Sequence, residues 1–551
     1  MTAHTTFSTP VATHEVLNQT PPLQGRNLFT DNQPLVEALE REGGGWASAR
    51  AVEAGAFWGG EPQEWGRLAN ENPPRLRTHD RYGNRINEVE FHPAWHQLMA
   101  RGVADEMHSL PWTSDEPGAH VARAAIYMSG AQAEAGFGCP ITMTFAAVPA
   151  LRAQPELADE WVPRLMATGY DGDAKPATDK PGALCGMAMT EKQGGSDVRA
   201  NTTAATPING GGPGAEYELN GHKWFCSAPM CDVFLVLAQT DEGLTCFAMP
   251  RFLPDGTRND GFQLQRLKDK LGNRSNASSE IELRGAWARM VGEPGRGVPT
   301  IIEMVNHTRL DCVIGTAAGM RAAVAQATWH AAHRAAFGAT LIDQPLMRNV
   351  LADIAIESEA TTVVAMRLAR AYDDPEQTDF RRLATAVAKY HVCKRFPGLA
   401  YEALECFGGN GYVEESGMPR MYREAPLASI WEGSGNVMAL DVLRAMARTP
   451  AGLDAFMAEI ELASGADNRL DAFTVALRDQ LGDSEALESR ARRIVESMAL
   501  ALQASLLVRH SPPAVADAFC AARLGGDSGL NYGTLGREAD VGAIVERHTP
   551  A

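Results

Sequence analysis

A single carboxylate, Glu432, stands in the stretch IWEGSGN (residues 430–436), with Trp431 on one side and Gly433, Ser434 and Gly435 on the other. An acid against an apolar wall is poorly hydrated, which disfavours its charged form and moves its pKa toward the range of a general base near neutral pH. The adjacent glycine allows backbone N–H groups to approach a bound oxygen. The plainer alternative is an acid at a helix start, since SGNVMALDVLRAM follows with Ser434 or Asn436 as N-cap candidates. Arg444, two turns into that helix, either pairs with Asp441 at i, i+3 or reaches toward a substrate channel.

A second stretch with chemical content is MAMTEKQGGSDVRANTT, residues 187–203. Paired glycines followed by Ser196 and Asp197 expose backbone N–H groups and hydroxyls toward one point, which suits the oxygens and ring nitrogens of an anionic cofactor. A surface turn would have the same composition. Its place between regions of different hydrophobic period favours a ligand, because domain junctions make pockets.

Other chemistries find little support. There is no GxxxxGK[ST], and GGGPGA at 210–215 lies between apparent antiparallel strands instead of opening a helix. His330 and His333 are spaced i, i+3 but have no third ligand nearby, which leaves a packed or solvated helix face and no metal. The nine cysteines are scattered singly without a CxxC pair, as reduced and mostly buried thiols are. Glu432-Gly433-Ser434-Gly435 lacks the spacing of a GxSxG nucleophile elbow.

These residues need elements to position them. Up to residue 182 apolar residues return every three or four positions, as in HPAWHQLMARGVADEM and GAHVARAAIYMSGAQAEAG, and the period is helical. The polar DGDAKPATDKPG at 171–182 marks a boundary. From 183 to 296 short runs such as EYELNGHKWFCS, DVFLVLAQT and SEIELRG predict a mainly antiparallel β domain, with hairpin turns at Asn220-Gly221 and Asp241-Glu242-Gly243. From 297 to 448 three long helical blocks predict an antiparallel bundle, with Pro345 at a helix start and Gly408-Gly409-Asn410-Gly411 as a left-handed stop. Residues 449–551 read as an accessory helical domain. The class is α+β.

The net charge of −18 works against broad binding to nucleic acid or anionic membrane. No long apolar run approaches a membrane span, and MTAHTTFSTPVATHEV resembles neither a secretory nor an organellar leader, so a cytoplasmic protein is expected.

Seven ordered stretches carry a resemblance: MTEKQGGSD, GHKWFCS, DKLGNRSNASSEIE, HRAAFG, CFGGNGY, RMYREA and IWEGSGN. In order and separation they are similar to the successive signatures of the acyl-CoA dehydrogenase family, over nearly the whole chain. TEKQGGSDVRANTT, RLKDKLGNRSNAS and the extra C-terminal segment most resemble its AidB-like branch of adaptive-response flavoproteins.

The resemblance implies an acyl-CoA dehydrogenase-like fold with FAD between the β domain and the bundle. Met187, Met189, Thr190 and Ser196 would contact the flavin, and Phe225, Cys226 and Ser227 would cover another face of it. Ile430, Trp431, Ser434 and Asn436 would border it from the bundle, while Arg334, Phe337 and Gly409 would hold the pyrophosphate and adenine end, partly across subunits of a homotetramer. Glu432 would be the catalytic base toward an acyl thioester, with Arg309 and Arg444 facing substrate. Some members carry the base on the helix that here begins near HTRLD, at a slot where this chain has Thr308. Asn306 and His307 replace an acidic residue that many members use to bind coenzyme A, so that contact does not carry over.

The branch is also credited with binding double-stranded DNA through its C-terminal domain and protecting it from alkylation. Residues 451–551 hold nine arginines and no lysine against fifteen Asp plus Glu, a balance of −6 that is unlike a phosphate-binding surface. Arg490, Arg492 and Arg493 are expected to pair with Glu485, Glu488 and Glu496 along one helix.

Overall fold

The computed structural model describes residues 13–550. Most of the stretch behind the leader reading, residues 1–12, lies outside them.

The chain opens with eight helices: α1 (Gln33–Arg41), α2 (Ser48–Trp58), α3 (Pro62–Glu71), α4 (Pro93–Ala104), α5 (Leu110–Thr113), α6 (Ala119–Ala133), α7 (Gly138–Leu151) and α8 (Pro155–Leu165). Helices α6 and α7 are apolar almost all round and are buried on nearly every face. The helical reading misses one hairpin here, β1 (Arg75–His79) and β2 (Arg85–Glu90). Its turn is closed by the Asp80 carboxylate, which accepts from the N–H groups of Tyr82 (2.8 Å) and Asn84 (2.9 Å), the side-chain turn that Asp supports. Asn87 on β2 then exchanges hydrogen bonds with the main chain at Phe262 (2.9 Å) and Leu264 (3.1 Å), fastening the helical layer to the sheet.

The sheet comprises β3 (Cys185–Ala188), β4 (Ala204–Pro207), β5 (Glu216–Ser227), β6 (Val233–Thr240), β7 (Gly243–Pro250), β8 (Phe262–Leu267) and β9 (Ser278–Val291). Strand order is β3-β6-β4-β5-β9-β7, with β6 also pairing β7, so five strands close a ring while β3 and β8 lie outside it. Most pairings are antiparallel, but β3 and β4 run parallel to β6. VFLVLA in β6 is buried on both faces, as a strand inside such a ring must be.

The turn at Asp241-Glu242-Gly243 joins β6 to β7 as expected. The hairpin expected at Asn220-Gly221 does not form. Those residues lie within the continuous strand β5, at a bulge where the register against β9 shifts. Asn220 takes the Gly285 N–H on its side-chain oxygen (2.8 Å), and a Cβ on Gly221 would come 2.5 Å from Thr203 Oγ1. The Asn-Gly pair therefore serves a bulge and a close approach, the other use of such residues in strands.

The bundle is built from α9 (Gly297–His333), α10 (Pro345–Asp373) and α11 (Thr378–Glu405), followed by α12 (Met418–Glu424) and α13 (Gly435–Arg448). Small residues let the helices approach: a Cβ on Gly319 would meet the Phe396 ring at 2.5 Å. Five further helices, α14 (Pro450–Glu461), α15 (Asn468–Gly482), α16 (Leu487–His510), α17 (Pro513–Phe519) and α18 (Val541–His548), pack onto α10, α11 and α13. No helix among the described residues is long and apolar enough to cross a membrane.

Candidate active site

Glu432 lies in the loop that enters α13, in left-handed conformation (φ 56°) and followed by Gly433 at φ 113°. A non-glycine residue there costs on the order of 1 kcal/mol or more, so the surroundings must impose it. Two cations do. Lys389 on α11 donates its Nζ to the carbonyls of Trp431 (2.8 Å) and Gly433, and Arg309 on α9 donates Nε to the Glu432 carbonyl (3.1 Å). Arg309 is held in turn by Asp441 (2.9 Å), which Arg382 also grips (2.9 and 3.0 Å). Asp441 is thus paired with Arg309 and Arg382. Arg444, for which pairing with Asp441 is one of two expected roles, is exposed and has no bonded carboxylate among the described residues.

The Glu432 carboxylate accepts from Thr308 Oγ1 (2.9 Å), whose single proton is also within reach of the Val305 carbonyl (2.9 Å). Burial pushes the Glu432 carboxyl above its ordinary value; Thr308, Arg309 and Lys389 oppose but do not cancel this. The residue in the alternative base slot is therefore the one that orients the Glu432 carboxylate.

The 187–203 loop is stretched over a buried charge. Glu191, fully enclosed, accepts from Lys223 Nζ (2.7 Å), from the N–H groups of Thr202 (2.7 Å) and Thr203 (3.1 Å), and from both their hydroxyls. Burial alone would raise its pKa; Lys223 and these hydrogen bonds override that and hold it below the carboxylate range. The loop is further tied by Asn201 to the Met189 carbonyl (2.8 Å) and by the Trp224 N–H to the Thr190 carbonyl (2.8 Å). Met187, Met189 and Thr190 are partly exposed and Ser196 fully so. Gly195 passes so close to Thr190 that a Cβ would lie 2.4 Å from its hydroxyl.

On β5, Phe225 is half exposed and Ser227 Oγ lies 3.2 Å from Ser278 Oγ. The Cys226 side chain turns the other way, into the core, because neighbours on a strand alternate faces. Two polar groups stand buried and unpartnered nearby in the chain's motifs: the Trp431 indole N–H, and both side-chain atoms of Asn276. Hydroxyls on an open glycine loop, an exposed aromatic face and orphaned donors are what a flavin ring would satisfy, so the residues present fit FAD.

Other expected residues lie elsewhere. Phe337 stands at the tip of a small hairpin after α9, left-handed (φ 53°) and wholly exposed; Arg334 at its base donates to the Asn18 carbonyl. Gly409 is exposed in the adjoining turn, joined to α9 where His330 stacks on Phe407 (4.2 Å). Ile430 and Ser434 are exposed; Ser434 holds the N-cap position without a side-chain cap, and Asn436 accepts from Arg492 (2.8 Å). Arg490 pairs with Asp483, so the expected pairing of these arginines along their own helix does not form. His307 is packed among Trp112, His120, Phe145 and Tyr372, with its pKa lowered by burial to about 4. No group of three or more His, Cys, Asp or Glu able to hold a metal occurs among the described residues.

Sequence reasoning missed Lys389, Arg382 and Asp441 as loop-fixing residues. A signal existed for Lys389: it is a lone charge in the apolar run LATAVAKYHVC, and a lysine 1% exposed must have a buried acceptor.

Comparison with known proteins gives the family. Residues 18–172 match the adaptive response protein AidB N-terminal domain, 186–286 the acyl-CoA dehydrogenase middle domain and 295–447 the acyl-CoA dehydrogenase C-terminal domain. The chain belongs to the acyl-CoA dehydrogenase family. It is 46% identical to AidB of Escherichia coli (strain K12) over 92% of this chain and 94% of that one. To acyl-CoA dehydrogenase family member 11 of Caenorhabditis elegans it is 30% identical over 83% and 73% of the two chains. The crystal structure of C. elegans ACDH-11 in complex with C11-CoA superposes with a TM-score of 0.83 at 27% identity, covering 100% of this chain and 95% of that one. Acyl-CoA dehydrogenases bind FAD, and this acyl-CoA dehydrogenase is a flavoprotein oxidoreductase.

Proposed function

We propose that the protein oxidises an acyl thioester across its α and β carbons, with Glu432 as the base. The observation that carries this is the fixed loop at 431–433, whose three carbonyls are drawn onto Lys389 and Arg309. In a trans peptide the N–H points opposite its C=O, so the N–H groups of Glu432, Gly433 and Ser434 face away from those cations. They form a concave set of donors for a thioester oxygen, whose polarisation acidifies the α-hydrogen. Glu432, poorly hydrated and oriented by Thr308, takes that proton onto its carboxylate. Bound FAD supplies the acceptor for the hydride that leaves the β carbon.

Met187, Met189, Thr190 and Ser196 would hold the flavin from one side, with Phe225, Ser227 and the Cys226 backbone on another. Ile430, Trp431, Ser434 and Asn436 would close the site from the bundle. Arg334, Phe337 and Gly409, which are exposed or partly exposed in a single chain, would serve the cofactor of a neighbouring chain in a homotetramer. Arg309 fixes the loop and Arg444 lies toward the channel mouth. The protein acts in the cytoplasm. Duplex DNA is disfavoured as a partner, because six of the nine C-terminal arginines pair with carboxylates of the same chain: Arg469 with Asp467 and Asp517, Arg478 with Glu461, Arg490 with Asp483, Arg509 with Glu459, Arg523 with Asp353 and Glu357, Arg547 with Glu37 and Glu359.

The test is anaerobic addition of an acyl-CoA panel to the purified FAD-loaded protein. At least one acyl-CoA bleaches the flavin absorbance, and Glu432→Gln abolishes bleaching while retaining FAD. Bleaching at the wild-type rate in that variant would remove Glu432 from its role.

A further inference from the structure

A cavity of about 60 Å³ lies where the N-terminal layer meets the bundle, away from the loop of Glu432. It is lined by Arg26, Gln63, Gln132, Gln326, Ser416 and Arg420, with apolar residues and glycines between them. None of its lining residues is Asp or Glu, although the chain as a whole carries a net charge of −18. Two guanidinium groups therefore face one small space in an otherwise acidic molecule.

Neither guanidinium is well satisfied. Arg26, with a side chain only 10% exposed, has its contacts at 3.6 Å to Asp31 and 3.5 Å to the Gln132 carbonyl oxygen. Arg420 reaches Glu134 at 3.5 Å and the Ala133 carbonyl at 3.4 Å. Charge-assisted bonds to carboxylates run at about 2.7–2.9 Å, so these are marginal, and each guanidinium carries five N–H donors. Asp31 and Glu134 contact the arginines but are not among the residues that line the cavity. Glu134 is already occupied by Ser275 (2.8 Å) and the Gly136 N–H (3.0 Å). Gln326 has no hydrogen-bond partner among the described residues.

Underused donors that converge on a space without carboxylates define the ligand by what they lack: a compact anion with several acceptor oxygens. The volume holds one tetrahedral group and is far below the roughly 300–1,000 Å³ of a cofactor pocket. We propose that this cavity binds a phosphate group, either as the free ion or as the end of a phosphomonoester. Such a ligand would bridge the N-terminal layer, through Arg26, to α12, through Arg420, and stiffen that junction.

Isothermal titration of the full-length FAD-loaded protein with inorganic phosphate, and separately with glycerol 3-phosphate, at ionic strength fixed by sodium chloride, tests this. Saturable binding at one site per chain is expected, weakened at least tenfold in Arg420→Gln and in Arg26→Gln. Arg420 is partly exposed, so its variant remains informative if the Arg26 variant fails to fold, and an unchanged flavin spectrum certifies the fold. Equal binding of both ligands identifies a phosphomonoester site, and binding of inorganic phosphate alone a free-ion site. No saturable heat with either ligand, or affinity unchanged in Arg420→Gln, overturns the proposal.

Discussion

Thr308 sets how readily Glu432 ionises. Its hydroxyl favours the charged carboxylate and works against burial, the larger influence, which raises the pKa. Because the base must be deprotonated to act, the rate of flavin bleaching rises with pH through the pKa of Glu432. Thr308→Val removes the donor, so the midpoint moves to higher pH while the alkaline plateau is retained. Stopped-flow bleaching across pH reads this directly, and an unmoved midpoint would show that the hydroxyl belongs to Val305 instead. Lys389→Met frees two carbonyls that hold the loop in its left-handed turn. Its expected effect is a fall of about tenfold or more in bleaching rate with FAD still bound, since a displaced base loses near-attack geometry. The acid, the glycine loop and the aromatic of this site are visible in the sequence as local patterns. Lys389, Arg382 and Asp441 are not, because they join the loop from separate helices and only packing brings them together.

At the scale of elements, the last hundred residues are docked by ions buried within the bundle. Asp353 and Glu357 of α10 receive Arg523, and Glu357 also receives Arg395 (2.9 Å). Burial would raise the Glu357 carboxyl, but Arg395 and Arg523 outweigh it and hold it at about 2, below its ordinary 4.5. A carboxyl depressed on folding stabilises fully above its unfolded pKa and loses that contribution as pH falls through the folded one. That contribution, shared between Arg395 of the bundle and Arg523 of the docked segment, is therefore lost from about pH 4.5 toward pH 2, with roughly 3 kcal/mol of total stability at stake. Arg523→Ala removes the charged partner of Asp353 and leaves Glu357 to Arg395 alone, and is expected to cost about 3 kcal/mol at neutral pH. Limited proteolysis should then cut within residues 510–540 in the variant and spare the wild type. Helix periods made these elements legible, and the tight turn after β6 was legible from its residues. The Asn220-Gly221 bulge and the β1–β2 hairpin were not: one pair of residues serves both turn and bulge, and the hairpin's partly exposed strands lack a buried face to give them an alternating pattern.

At the scale of the whole molecule, Phe337, Leu346 and Tyr412 are large apolar side chains more than four-fifths exposed in a single chain. Association would cover them. Phe337→Asp is expected to release smaller species in light scattering and to shed FAD in the same samples, because the proposed cofactor contacts cross the interface. A variant that dissociates but keeps its flavin would separate the two roles. One long-range tie has a different outcome. Arg547, four residues from the chain's end, binds Glu37 of α1 (3.0 and 2.6 Å) and Glu359 of α10, bridging 510 positions of sequence. During synthesis the helical layer emerges first, yet Glu37 and Glu359 meet Arg547 only once residue 547 has left the ribosome. A chain cut short of that residue would carry an uncompensated buried carboxylate at Glu359 where the intact protein has a clamp, a flaw by which cellular quality control would tell the two apart.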